Sequence, residues 1–166
     1  QEISLKTVND LRLDANGEPQ CFFIAAYQRG YRWSPLQVTQ LLDDIREFTK
    51  RRNPQPEEFY CLQPLVLKAL KDGGYEVVDG QQRLTTLLLI LRHFNERLAL
   101  KYQQQLYALA YETRQNLMEF LKNPSKSLAE SNVDFFHLGQ AIKVIEQWFT
   151  EKESEVEEIK SALLNK

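Results

Sequence analysis

The chain has 166 residues, a formal net charge of −2, 43% hydrophobic and 27% charged residues. That composition supports a buried core and excludes a disordered segment. Basic and acidic residues balance as far as Leu100, which excludes the positive excess of a dedicated duplex-DNA binder. No apolar run approaches the roughly 20 residues of a membrane span, and no basic segment followed by an apolar block opens the chain. No membrane partner and a cytoplasmic location are therefore expected. The first residue is Gln1 rather than Met, which reads as a fragment of a longer protein. Cys21 and Cys61 lie in apolar, strand-like stretches and read as buried free thiols; their spacing offers no zinc site.

Glu2 to Asp14 is short and mixed, and Asn16-Gly17 signals a turn. Cys21-Phe22-Phe23-Ile24 reads as a buried strand. A helix follows, with Ser34 as N-cap, Pro35 at the first helical position and Gln37 completing a capping box. Val38, Leu41, Leu42, Ile45 and Phe48 give it an apolar stripe. Lys50-Arg51-Arg52 suit a helix C-terminus or a phosphate patch, and Asn53-Pro54-Gln55-Pro56 ends the helix. Leu62 to Leu70 reads as a strand that Pro64 places at an edge or a strand start. Asp72-Gly73-Gly74 makes a tight turn, and Tyr75-Glu76-Val77-Val78 returns. A long helix then carries Leu84, Leu87, Leu88, Leu91, Phe94 and Leu98 on one face.

Everything beyond reads as helical. Leu106, Leu109, Leu117, Phe120 and Leu121 mark one helix or two, broken at Asn123-Pro124-Ser125. Leu138, Ala141, Ile142, Ile145, Trp148 and Phe149 mark another, and Val156, Ile159 and Leu163 begin a last one. Strands in the first half and helices in the second give an α+β pattern, a small sheet domain with an appended helical bundle.

Two polar clusters carry the chemistry. The first is Asp79-Gly80-Gln81-Gln82-Arg83, where a strand passes through a glycine directly into a helix. Helix N-termini present unpaired N–H groups and a partial positive charge, so they suit phosphate. Arg83 can grip phosphate bidentately, Gln81 and Gln82 can hydrogen-bond phosphate, sugar or base, and Thr85 and Thr86 add hydroxyls. A carboxylate beside phosphate is repulsive, so Asp79 either caps the helix or meets a divalent metal. The capping alternative is specific: Asp79 as N-cap and Gln82 three residues later form a capping box without any ligand. The second cluster is Tyr27-Gln28-Arg29-Gly30-Tyr31-Arg32-Trp33. Its aromatics can stack on bases and its arginines can bind phosphate; alternatively, Trp33 packs a corner and the arginines form surface ion pairs. His93 and His137 lack a partner at metal-ligand spacing and read as surface or half-buried.

Ile24-Ala25-Ala26-Tyr27-Gln28-Arg29-Gly30-Tyr31-Arg32-Trp33 followed by Val77-Val78-Asp79-Gly80-Gln81-Gln82-Arg83-Leu84-Thr85-Thr86-Leu87 resembles the N-terminal domain family of GmrSD-type, type IV restriction enzymes, which act on modified phage DNA. Related domains occur in other phage-defence proteins. The resemblance covers about Leu5 to Leu98, and Tyr111-Glu112-Thr113-Arg114 and the helix ending at Trp148-Phe149 also look like the family's helical extension. It implies a ParB/sulfiredoxin-like small mixed sheet with helices over 1–100, and over 101–166 a helical extension that the chain end cuts short. It also implies a nucleoside-triphosphate-binding module with Mg²⁺, in which hydrolysis is a further expectation. By resemblance, Asp79, Gln82 and Arg83 would be catalytic, with Asp79 also the metal ligand. Tyr27, Gln28, Arg29, Arg32, Gly80, Gln81 and Thr85 would hold the nucleotide. The family's Pro before the Tyr is replaced here by Ala25-Ala26. Gln81 and Gln82 stand where the sulfiredoxin branch has a cysteine, so cysteine-phosphinate chemistry is not expected. DNA cutting is expected of a downstream nuclease domain, with DNA as a partner through the full-length protein or a nuclease partner. The alternative function is a non-catalytic ParB-like module that recognises DNA or a protein.

Overall fold

The computed structural model describes residues 9–49, 65–71, 73–112, 117–122 and 133–165. Four strands form one mixed sheet: β1 (Cys21–Ile24), β2 (Val66–Ala69), β3 (Tyr75–Asp79) and β4 (Ala108–Tyr111), in the order β2-β3-β1-β4. The helices are α1 (Pro35–Thr49), α2 (Gln81–Glu96), α3 (Leu117–Lys122), α4 (Val133–Glu151) and α5 (Val156–Asn165). The α+β class with a small mixed sheet is as the sequence implies.

The β2–β3 hairpin is antiparallel, and its turn uses Gly73 and Gly74 at φ 94° and 80°. Gly74 is also required sterically, because a Cβ there would lie 2.8 Å from the Cys21 carbonyl oxygen. The strand expected over Leu62–Leu70 is an edge strand, as Pro64 suggested, although 62–64 lie outside the described residues. The Asn16-Gly17 turn forms with Gly17 at φ 79° and the Asp14 carboxylate accepting the Asn16 and Glu18 N–H groups.

β1 runs parallel to both β3 and β4. The fourth strand corrects the expectation of helices only beyond residue 100: Ala108–Tyr111 joins the sheet, and only Leu117–Lys122 of that stretch is helical among the described residues. The alternation is one-sided: Phe22 and Ile24, Val77, and Leu109 and Tyr111 are buried in the core. Cys21, Val78 and Ala110 are exposed. Cys21 is therefore not the buried thiol expected from its apolar neighbours, because it starts the strand on the opposite face from Phe22. Cys61 and the Lys50-Arg51-Arg52 trio lie outside the described residues.

Helices α1 and α2 supply Val38, Leu41, Leu42 and Ile45, and Leu84 with the run Leu87 to Leu91, to the core. Helix α4 packs on both and α5 packs on α1. Cross-links tie the layers together: Trp148 Nε1 donates to Asp43 Oδ1 at 2.9 Å, and Arg46 pairs with Glu155 at 2.7 Å. His93 is buried rather than superficial, at 4% exposure, stacked on Phe149 at 4.9 Å. No helix among the described residues is long and apolar enough to cross a membrane.

The capping box on α1 forms as read: Ser34 N–H donates to Gln37 Oε1 at 2.9 Å, and Gln37 N–H to Ser34 Oγ at 3.3 Å. Removing the cap with Ser34→Ala should lower stability by about 1 kcal/mol, readable as a shift of the urea midpoint without a change in slope.

Candidate functional site

Because β1, β3 and β4 are mutually parallel, their carboxyl ends open on one edge of the sheet. In open sheets that edge is where ligands bind. The two sequence clusters leave from it. The Tyr27–Trp33 loop follows β1, and the Asp79–Arg83 turn follows β3. From β4, Glu112 N–H donates to the Ile24 carbonyl, and the Glu112 carboxylate accepts the Ala26 N–H at 2.5 Å.

The turn into α2 depends on Gly80, the N-cap residue, at φ 102° and ψ 12° in the left-handed region. A glycine takes that conformation without the Cβ penalty of other residues, so β3 passes into a helix with no intervening loop. No side chain caps α2. The Asp79–Gln82 capping box is therefore overturned: Asp79 is the last residue of β3, and Gln82 reaches elsewhere. The first α-helical bond of this turn runs from Leu84 N–H to Gly80 O at 2.9 Å, which leaves the N–H groups of Gln81, Gln82 and Arg83 directed outward at the helix end. A direct check follows. Asp79→Ala should change stability by less than about 0.5 kcal/mol, in contrast to Ser34→Ala at a cap that exists.

The glutamines hold the two loops together. Gln28 Nε2 donates to the carbonyls of Val77 at 3.2 Å and Val78 at 2.9 Å. Gln82 bridges the facing loop, donating to Gly30 O at 2.8 Å and accepting from Arg32 N–H at 2.8 Å. Gln81 reaches the Arg29 carbonyl more weakly, at 3.5 Å. Behind this layer, Tyr31 Oη and Thr86 Oγ1 are 2.9 Å apart, and Thr85 Oγ1 meets Tyr111 Oη at 2.8 Å and the Gln81 carbonyl at 2.7 Å. Burial raises the pKa of Tyr31, and pushes that of Tyr111 up to about 12. Both are neutral hydrogen-bonding groups that brace the site rather than acids within it.

The structure thus divides the expected site residues in two. Gln28, Gln82 and Thr85 use their polar atoms to fix backbone, and Gly80 makes the turn. Tyr27, Arg29 and Asp79 are exposed, Tyr27 at 72%. Arg32 donates to the Tyr31 carbonyl at 3.0 Å. Arg83 is the unusual member: it is half-buried, its Nε is buried without a hydrogen-bond partner among the described residues, and its guanidinium carbon lies 5.8 Å from the centre of the Trp33 ring. Glu112 was not anticipated as part of this site; a single sequence gives no sign that residue 112 returns to residue 26.

Fold and site together define an α+β module with two loops knitted around an uncapped helix N-terminus at the carboxyl ends of parallel strands. The family model described as GmrSD restriction endonuclease, N-terminal domain, matches residues 8–164, and the chain belongs to that family. It is accordingly a module of the type IV, phage-defence class of DNA-acting restriction enzymes. The match runs through the helical region as well as the two motif clusters. No curated protein and no solved structure matches the chain significantly.

Proposed function

We propose that this module binds a nucleoside triphosphate with Mg²⁺ at the carboxyl ends of β1 and β3, and that nucleotide occupancy regulates the restriction enzyme to which it belongs. The observation that carries the reading is Arg83. A buried guanidinium nitrogen without a partner is costly, and here it sits in the first turn of α2, beside the outward N–H groups of an uncapped helix. Both features favour an oxyanion. Arg29, exposed on the facing loop, adds a second cation, and the exposed ring of Tyr27 offers a stacking surface for a base.

The residues fit a metal that arrives on the nucleotide. Mg²⁺ is commonly held by one or two carboxylates plus substrate phosphates, and Asp79 supplies one exposed carboxylate at the end of β3. Among the described residues no group of three His, Cys, Asp or Glu side chains offers a resident site. When bound, Mg²⁺ would neutralise phosphate charge. Hydrolysis, in this reading, rests on that neutralisation and on positioning by Arg83 and Arg29. Gln82 contributes by holding the Gly30–Arg32 backbone in place.

Thermal melts with and without Mg-ATP test the assignment. The wild type should be stabilised by ligand. Arg83→Ala should fold normally and bind at least about tenfold more weakly, on the order of 1.5–3 kcal/mol for a lost charge-assisted contact. Asp79→Asn should keep its fold and lose the Mg²⁺-dependent part of the shift. Identical ligand-induced shifts in all three proteins would contradict the site, and a shift produced by DNA but by no nucleotide would favour a purely DNA-recognising module.

A further inference from the structure

The contact between Trp33 and Arg83 has a chemical consequence for the site. A guanidinium buried in a protein is ordinarily matched by a carboxylate, which holds it in place but also neutralises it and occupies its donors. Arg83 instead faces an indole ring, with the guanidinium carbon 5.8 Å from the ring centre, within the range of a cation–π interaction. Its Nε has no hydrogen-bond partner among the described residues. Trp33 is itself half-buried and packed against the hydrophobic core, one residue before the Ser34 cap that starts α1. The segment leading to it is tied to α2 at two points, by Gln82 bonding Gly30 O and Arg32 N–H and by Tyr31 bonding Thr86. The ring therefore stands in a tethered segment just before α1, packed on the core, and the arginine it faces stands on α2.

We infer that Trp33 is the positioning residue of the site: its indole face holds the Arg83 guanidinium without neutralising it, so that its full charge stays available to a phosphate group. This rests on the nucleotide reading of the site and deepens it by separating the residue that meets phosphate, Arg83, from the one that aims it. It also gives Trp33 a different part from Tyr27. The indole face is turned to the arginine, and the exposed ring of Tyr27 is the surface left for a base. An aromatic face, rather than bulk alone, is what the role requires. Phe or Tyr at position 33 should preserve most of it, whereas Leu, apolar but without a π face, should not.

The experiment is a titration of Mg-ATP and, separately, of inorganic tripolyphosphate into wild type, Trp33→Phe and Trp33→Leu, each first checked for a cooperative melt. Wild type and Trp33→Phe should bind within about threefold of each other, and Trp33→Leu at least about tenfold more weakly, with both ligands. The wild type should also show a ligand-dependent change of tryptophan emission that is absent from Trp33→Phe, since Trp148, the second of the two tryptophans, lies in the core. Should Trp33→Leu fail to fold, the Arg83 Nε–H resonance of the wild type, assigned by its loss in Arg83→Lys, provides the reading. It should lie at a ring-current-shifted position and move when Mg-ATP is added. Equal affinity in wild type and Trp33→Leu, or an Arg83 signal with no ring-current shift, would overturn the inference while leaving nucleotide binding intact. A wild type that binds neither ligand would overturn the nucleotide reading, and this inference with it.

Discussion

Gln82→Ala is expected to lower stability by roughly 1–3 kcal/mol and to loosen the Tyr27–Trp33 loop, although position 82 opens a helix where alanine is intrinsically favourable. The Gln82 side chain makes two hydrogen bonds of 2.8 Å across to the loop, one to Gly30 O and one from Arg32 N–H. Losing it leaves two half-buried backbone groups to find other partners, and an unpaired buried polar group costs about 1–3 kcal/mol; access to water at this edge keeps the total toward the lower end. Gln82→Glu should fall between the two, since a carboxylate still accepts from Arg32 N–H but cannot donate to the Gly30 carbonyl. Urea denaturation gives the stability. Limited trypsin digestion gives the loop, because Arg29 and Arg32 lie within it: cleavage there should accelerate in Gln82→Ala and less so in Gln82→Glu. Unchanged stability and unchanged cleavage would mean that Gln82 does not clamp the loop and is available to a ligand after all.

Acid is expected to destabilise the protein through His93. Its Nε2 accepts a hydrogen bond from Arg97 Nε at 3.1 Å, and its ring stacks on Phe149. Burial first, and then the charges of Arg97 and Arg92, lower its pKa to about 4. The side chains around it are Glu96, which pairs with Arg92 at 2.6 Å, and Glu146 and Thr150 from α4. The folded protein therefore resists a proton that the unfolded chain accepts near the ordinary value of 6.5. Stability from this group is fully present above about pH 6.5, is lost as the pH falls from there toward 4, and is flat below. The full effect is on the order of 3 kcal/mol. Carboxylates also titrate in the lower part of this range, so the comparison is with His93→Gln, which retains an acceptor for Arg97 and cannot titrate. Between pH 7 and 5 the wild type should lose stability more steeply than the variant. Parallel slopes would contradict the assignment.

The strand–glycine–helix passage at Tyr75–Arg83, the Ser34 cap and the β2–β3 hairpin were legible because local chemistry determines them. What escaped the sequence was settled by distant partners. The order Asp79-x-x-Gln82 is the same whether the glutamine turns back to its own helix end or reaches a loop fifty residues away, and only the fold places Gly30 and Arg32 within its reach. Strand β4 carries Ala-Leu-Ala-Tyr, without β-branched residues, so its propensity pointed to helix; pairing in parallel with β1 along its whole length overrides that. His93 gave no sign of burial in its own segment, since the ring that covers it, Phe149, belongs to α4. The candidate site was legible as two clusters, but not the division of labour within them, which depends on the bonds between them.

The central claim is that this module holds a nucleoside triphosphate through Arg83 at the start of α2. Isothermal titration of the four common ribonucleoside triphosphates with Mg²⁺ into wild type and Arg83→Ala tests it most directly. At least one nucleotide should bind the wild type with measurable heat, and the affinity should fall about tenfold or more in the variant. No heat from any of the four at millimolar concentration, or equal affinity in the two proteins, would contradict it.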